Sequence, residues 1–303
     1  MNTKFIEAFM QVARLKSFKA AADYLNLTQA AISNRIASLE EEIGARLFDR
    51  GPRELKLTCI GTRLLDYGER MLDLEQEIHQ LGRPGHELLG LVRIGAVDSV
   101  VHTWLIGFLK NLQSTYPGIE VQLTSETSAG VYKALREGAI DIALQTHQID
   151  GEGITSIPCL PISIGWIGSI NTHISVDTPL LDLLRLPTIT MSHGSHPHHA
   201  LRELYRRAGV PVGKIHHVSS ISAIVQLVQA GFGNALVPLA PVRPAIESGL
   251  VRMIDCKMSL SHQPIVVSYT EVHSSEAIRV VAELACRECD TFVRALPSLY
   301  AAD

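Results

Sequence analysis

The run His193-Gly194-Ser195-His196-Pro197-His198-His199 gathers four of the chain's 13 histidines within seven residues. Imidazole ligates zinc, nickel or copper, so metal binding is one chemistry open to it. Neither Cys nor carboxylate accompanies these histidines, and Pro197 interrupts their helical register, so no metal is assigned. A surface loop is one remaining reading. The other is contact of His193 or His196 with an anionic ligand, which makes affinity pH-dependent. Hydroxyl groups form a second set: Ser99 (with Val100 beside it), Ser125, Thr127, Ser128, Ser195 and Ser220. Converging on one cleft, they suit a small carboxylate; helix capping is the alternative for each. A third set is Gln29, Ala30, Ser33, Asn34 and Arg35. Gln and Asn can bridge N6 and N7 of adenine, Arg can bridge O6 and N7 of guanine, and an Ala methyl can meet thymine. Cys286 and Cys289 form one C-x-x-C in a helical stretch without a second pair, and are read as buried helix residues rather than as a metal or redox site.

The elements that carry these side chains follow from periodicity. Phe5, Ala8, Phe9 and Val12 recur at helical spacing over 4–14. Ser17 is a good N-cap for a short helix over 18–25, and Thr28 for a second running to about Ile43, which Gly44 ends. Two helices joined by a tight turn predict a helix-turn-helix. Its second helix starts with the third set of side chains. Leu47-Phe48 pack back, Arg50-Gly51-Pro52-Arg53 reads as a turn, and 54–58 alternates as a strand. Together they form a wing on which Arg50, Arg53 and Lys56 are placed for phosphates or the minor groove. From Gly61 to Leu81 a long helix repeats apolar residues every seven positions: Leu64, Met71 and Ile78, then Tyr67, Leu74 and Leu81. Such a seam packs on another helix, here read as its twin in a dimer. Gly82-Arg83-Pro84-Gly85 then separates it from the remainder of the chain.

Beyond that linker, strands and helices alternate, which predicts a mainly parallel α/β sheet. Strands are read at 91–97, 120–124, 141–145, 162–167, 188–191, 215–218, 235–237 and 264–269. Helices are read at 99–114, before Gly138, and at 197–208, 221–230 and 274–296. Two subdomains result, with crossings near Pro161–Ser163 and His262–Pro264. The predicted domains are 1–60, a winged helix-turn-helix; 61–89, linker helix and hinge; and 90–303, a ligand domain. Subdomain I of the latter is 90–162 plus 264–303, and subdomain II is 163–263. The hydroxyl and histidine sets follow strand ends, where ligands bind in such sheets.

Bulk properties narrow the classes. The 303 residues are 46% apolar and 19% charged, with net charge −4. Residues 1–65 carry ten Lys/Arg against seven Asp/Glu, and the remainder 17 against 24. A polyanionic partner would therefore meet the head. No signal segment and no uninterrupted apolar run of membrane length is read. Five scattered cysteines fit a reducing cytoplasm.

Residues 17–50, SFKAAADYLNLTQAAISNRIASLEEEIGARLFDR, resemble the DNA-binding segment of LysR-type transcriptional regulators. The wing L-K-L-T, Gly61 and the long helix match as well. L-V-R-I-G, REGAIDIAL and LVQAGFGNALVPL occur in family order further on. The resemblance implies a winged helix-turn-helix joined to an α/β effector domain of two Rossmann-like subdomains, similar to periplasmic binding proteins. It also implies a tetramer that bends DNA. The expected partners are promoter DNA with an imperfect palindrome, a second copy of the chain, a small-molecule effector and RNA polymerase, with no membrane. Ala30 stands where the family commonly has Pro, and Asn34-Arg35 where it has Arg-Gln, so base preference does not carry over. A solute-binding protein is an alternative, weakened by the absent signal segment. A hydrolase using Ser195 is another, but no G-x-S-x-G elbow occurs and no catalytic residue is assigned. Replacing Arg53→Ala should weaken binding to all DNA sequences and reduce the log–log salt slope by about 1. An unchanged slope in a salt titration rejects the phosphate role.

Overall fold

The computed structural model describes residues 2–50, 55–80, 88–151, 153–171, 178–256, 260–271 and 275–301. It divides into two compact units, Met1–Gly90 and Leu91–Asp303.

The first unit holds α1 (Thr3–Leu15), α2 (Phe18–Tyr24), α3 (Gln29–Ile43), β1 (Phe48–Arg50), β2 (Leu55–Leu57) and α4 (Cys59–Gln80). Each of the first three helices starts on a side-chain cap. Asn2 accepts from the Lys4 N–H, Ser17 from Ala20 and Thr28 from Ala31. Gly44 ends α3 in the left-handed region, φ 74°, where a side chain would be strained. Ile6, Phe9 and Val12 of α1 meet Ile32, Ile36 and Leu39 of α3 in one core. Phe48 drops from the wing into that core, with its ring 5.3 Å from Phe9 and 5.8 Å from Phe18. The sequence predicts only a turn after Phe48. The structure instead pairs β1 antiparallel with β2, Phe48 opposite Leu57 and Arg50 opposite Leu55. Arg50 thus belongs to a strand, because anchoring Phe48 leaves its neighbours to pair with β2. Arg53 and the rest of the wing turn lie outside the described residues.

Gly61 lets α4 leave the wing: a Cβ there would sit 2.2 Å from the Leu47 carbonyl oxygen. Thr58 caps the helix, accepting from the Gly61 N–H at 2.9 Å and donating to the Arg46 carbonyl at 2.8 Å. Helix α4 packs closely on α1, so that a Cβ at Gly68 would lie 3.0 Å from Ile6 and Met10. This divides the apolar seam. Leu64 and Met71 pack against the core of their own unit. Tyr67, Leu74 and Ile78 leave more than half of their surface exposed. Leu81 lies outside the described residues, as does the Gly82–Gly85 linker.

The second unit begins with β3 (Gly90–Ala96), α5 (Asp98–Val101), α6 (Leu105–Thr115), β4 (Ile119–Ser125), α7 (Ser128–Arg136) and β5 (Ile142–Gln145). Next come β6 (Ile154–Ser169), α8 (Leu180–Arg185), β7 (Thr188–Thr190), α9 (His196–Ala208) and β8 (Ile215–His217). The last elements are α10 (Ile221–Gln229), β9 (Asn234–Pro238), α11 (Leu239–Glu247), β10 (Val251–Ile254), β11 (His262–Thr270) and α12 (Glu276–Arg294). The strand order is β4-β3-β5-β11-β6-β9-β7-β8, with β10 also on β6.

The sheet is mixed rather than mainly parallel. β3 runs parallel to β5, and β7 parallel to β8 and β9. All pairs made by β6 and β11 are antiparallel. Strand β6 starts eight residues before the strand expected from Ile162. It pairs with β11 through Ser163, then with β9 from Ile164. Pro158 and Pro161 hide this strand in the sequence, since proline cannot donate to a ladder. The helix expected from Ser99 to Ser114 is two helices. The Thr103 hydroxyl donates to the carbonyls of Ser99 and Val100 and closes α5. Periodicity does not predict helices α8 and α11 or strand β10; Pro241 and Pro244 make α11 read as a loop. Among the described residues no helix is long and apolar enough to cross a membrane.

One buried ion pair ties β3 to the start of β5. Arg93 donates through Nε and Nη2 to Asp141 at 3.1 and 2.9 Å, and through its backbone N–H at 2.9 Å. Removing one partner strands the other charge in low dielectric. Replacing Asp141→Ala should therefore cost about 3–5 kcal/mol, read as a lower midpoint in urea unfolding. A loss below about 1 kcal/mol, the range of an exposed pair, would show the bridge to be inconsequential.

Candidate functional site

Two places concentrate the candidate residues. In the first unit, Ile32, Ile36 and Leu39 turn one side of α3 into the core. Helical spacing then turns Ala30 and Asn34 away from that side, with Ser33 beside them, while Gln29 is the first residue of the helix. Gln29, Ala30 and Asn34 are exposed and Ser33 is half-buried. Arg35 differs from expectation: its guanidinium donates to the Lys4 carbonyl at 3.3 Å, at the start of α1. Lys56 is exposed on β2. Arg50 enters through its backbone in β1. Glu40 fixes the wing to α3 by accepting from the Leu47 N–H at 2.8 Å.

In the second unit a cleft of about 90 Å³ opens between the subdomains. Val97, Asp98, Ser99, Glu126 to Ala129 and Thr146 line one side. Met191 to Pro197 and Ser219 line the other, and Gln263 comes from β11. Six expected effector residues meet here: Ser99, Thr127, Ser128, His193, Ser195 and His196. Three do not line it. Val100 is in the hydrophobic core, 1% exposed, because the short turn of α5 points it inward. Ser125 lies on the exposed part of β4. Ser220 caps α10, accepting from Ala223 and sharing a hydrogen bond with Ser222.

Capping engages some lining hydroxyls too. Thr127 accepts from the Gly130 N–H, and Ser195 from His198. Each keeps its own O–H to donate. Ser195 is therefore a helix cap, without the hydrogen-bonded base that activates a nucleophile. Ser99 accepts from the buried Gln263 amide at 3.1 Å, and Ser128 lies 3.3 Å from the Thr146 hydroxyl. Across the cleft, an Asp98 carboxylate oxygen accepts from the Ile221 N–H at 2.6 Å, at the first turn of α10. Sequence reasoning missed Asp98, Glu126 and Thr146, although each follows a strand end as the chosen residues do. Gln263 has no such signal, since only the β6–β11 pairing brings it here.

The histidine run begins in an exposed turn at His193 and Gly194 and continues from His196 as the first turn of α9. Ser195 caps α9, and Pro197 sits in its first turn, where a missing N–H costs nothing. His198 is buried, 5% exposed. Its ring is 4.5 Å from His193 and 4.9 Å from His217. The Gly194 N–H donates to His198 Nδ1 at 3.1 Å, so the neutral ring carries its proton on Nε2. Among the described residues no three of these histidines bring ligating nitrogens within 4.8 Å of one another. Burial first, then His193 and His217, push His198 down to about 4. Burial, then His147, lowers His196, and burial, then His199, lowers His147. Burial, with neighbouring histidines adding to it, thus favours the neutral form of His147, His196 and His198.

A winged helix-turn-helix with an exposed helix start, in a chain whose second unit is an α/β body with a cleft, defines an effector-binding transcription regulator. Residues 3–62 match the model of the bacterial regulatory helix-turn-helix protein, lysR family, and 85–290 match the LysR substrate binding domain. The chain belongs to the LysR family of transcriptional regulators, which are not enzymes. It is 27% identical over 252 residues to the HTH-type transcriptional regulator YofA of Bacillus subtilis (strain 168), covering 80% of this chain and 83% of that one. Its fold is similar to ArgP from Mycobacterium tuberculosis, with TM-score 0.69, 19% identity and 95% and 97% of the two chains covered. It is similar also to full-length LysG from Corynebacterium glutamicum with bound effector Arg, with TM-score 0.62, 20% identity and 95% and 98% covered.

A depressed histidine makes stability depend on pH. Between pH about 6.5 and 4, the unfolded chain takes up a proton that folded His198 refuses, so acidification destabilises the fold. The melting temperature should fall from pH 7.5 to 5, and fall less in His198→Gln. Equal falls in both proteins would remove His198 as the cause.

Proposed function

We propose that the chain works in the cytoplasm as a dimer-based regulator, with a small organic acid in the cleft controlling its binding to an imperfectly palindromic promoter site. Gln29, Ala30, Ser33 and Asn34 meet base edges in the major groove, where only the start of a recognition helix reaches them. Arg35 joins them on leaving the Lys4 carbonyl. Arg50, Arg53 and Lys56 contact phosphates or the minor groove. Residues 61–89 serve as dimerising linker and hinge, through Leu64, Tyr67, Met71, Leu74, Ile78 and Leu81. Two dimers make the tetramer, and RNA polymerase is the further partner. The exposure of Tyr67, Leu74 and Ile78 favours a partner helix on that face.

The observation that carries the effector reading is the convergence of Ser99, Ser128, Thr146 and the N-terminal turn of α9 on one cleft. Hydroxyls and the free N–H groups of a helix start hold a carboxylate. Asp98 and Glu126 line the same cleft, so the acid that fits best also carries an amino group or another donor. LysG, with its bound effector Arg, is a similarly folded protein that holds an amino acid.

A thermal-shift screen of small carboxylates and amino acids on the full chain tests this reading. A binder at about 100 times its Kd stabilises by about 2.7 kcal/mol. The same compound should change the gel-shift affinity for upstream intergenic DNA. Replacing Ser128→Ala should weaken it about tenfold, the equivalent of about 1.4 kcal/mol for a lost hydrogen bond. A binder whose affinity Ser128→Ala leaves untouched does not sit in this cleft.

A further inference from the structure

Three thiols and a carboxylate meet where β6 passes α12, and none of them lines the cleft. Cys159 belongs to β6; Cys286, Cys289 and Asp290 belong to α12. The Cys159 thiol donates to the Ile157 carbonyl at 3.9 Å, and Cys286 lies one turn before Cys289 on the same face of α12. The ligating atoms of Cys159, Cys289 and Asp290 all lie within 4.8 Å of one another. Among the described residues, no other group of three His, Cys, Asp or Glu is so close. Cys289 is fully buried, and Cys159, Cys286 and Asp290 are half-buried.

Packing alone explains a buried cysteine on a helix. It does not explain a carboxylate beside three of them, since thiols are weak donors and compensate its lost hydration poorly. The carboxylate is also oriented. Asp290 Oδ1 accepts from the backbone N–H of Leu160 at 2.8 Å, the residue after Cys159. An oriented ligand held by an outer hydrogen bond is the usual form of a metal site. The C-x-x-C spacing puts Cys286 and Cys289 on neighbouring turns of one helix face.

We propose that Cys159, Cys289 and Asp290, with Cys286 as the fourth donor, bind a thiophilic divalent cation of the Zn2+ kind. Sulfur and carboxylate oxygen in a four-ligand set match zinc's preference. Each coordinating thiol gives its proton to solvent as its metal–sulfur bond forms, and no electron moves. The ion ties α12 to the strand that both subdomains share. Cys159 lies opposite Ile265 of β11, beside the register shift at Gln263. Gln263 in turn holds Ser99 in the cleft. The site thus braces the crossover of β6 and β11, and it stands whether or not the cleft ligand is an organic acid.

The test uses the full-length, reduced chain loaded with Zn2+ and dialysed. Plasma mass spectrometry should find one ion per chain. Co2+ in its place should give the sulfur-to-cobalt charge-transfer band that histidine ligation cannot produce. Cys159→Ser and Cys289→Ser should each weaken metal binding and lower the intensity of that band. Asp290→Asn keeps an acceptor for Leu160, and with it the fold, but should weaken binding about tenfold with the band retained. A His193→Ala/His217→Ala variant should bind as the parent does. The proposal is overturned if the parent shows no thiolate band, if Cys159→Ser holds its metal while the histidine variant loses it, or if Asp290→Asn binds as tightly as the parent. It is overturned equally if the chain takes up no metal and forms a disulfide at Cys159 instead. Should Cys289→Ser not fold, Cys159→Ser and Asp290→Asn decide the outcome.

Discussion

Strand β6 exchanges backbone hydrogen bonds with β11 along its first ten residues and with β9 and β10 along the rest. One covalent ribbon therefore runs through both subdomains of the second unit. A ladder of backbone bonds is stiff along the strand but bends where its register shifts, as it does between Gln263 and Ile265. The cleft lies at that bend. Its lining includes Gln263 itself.

Several side-chain bonds depend on this arrangement. Gln263 reaches Ser99 on α5, and Asp98 on the same short helix reaches the first turn of α10 across the cleft. A ligand seated between these walls competes with such bonds or adds to them, which biases one cleft angle over another. The chain end is drawn into the same place. Ser163, the last residue of β6 to pair with β11, donates twice to the segment after α12. Its N–H meets the Tyr300 carbonyl at 3.0 Å and its hydroxyl the Ala301 carbonyl at 2.7 Å.

The first unit rests on a different constraint, the close approach at Gly61. With no side chain there, the start of α4 can lie against the Leu47 carbonyl. Phe48 is then free to enter the core and Glu40 to hold the wing backbone. The exposed start of α3 is a by-product of the same packing. Ile32, Ile36 and Leu39 fill one side, so Ala30 and Asn34 are left outside, and Gln29 is exposed at the first position of the helix.

Residues close in sequence were legible because their physics is local. Ser17, Thr28 and Gly44 mark helix ends by bonding to backbone three or four residues away, and the structure uses each as the sequence implies. Apolar spacing likewise located α3, α4 and α12, and strand ends located Ser99, Ser128, Ser195 and His196. Prolines misled where strand pairing outweighed their local cost in the first half of β6 and where burial did so in α11. The division of the α4 seam, the turn of Arg35 to Lys4 and the place of Gln263 depend on partners far along the chain. So does the approach of Cys159 to Cys289 and Asp290. By itself the sequence determined the helix-turn-helix and the alternating α/β body, because periodicity and caps act within a few residues, and the family, because its residues 17–50 resemble the family's DNA-binding segment. Tertiary structure alone decided which hydroxyls share the cleft and which thiols meet, because only the pairing of distant strands brings them within bonding distance.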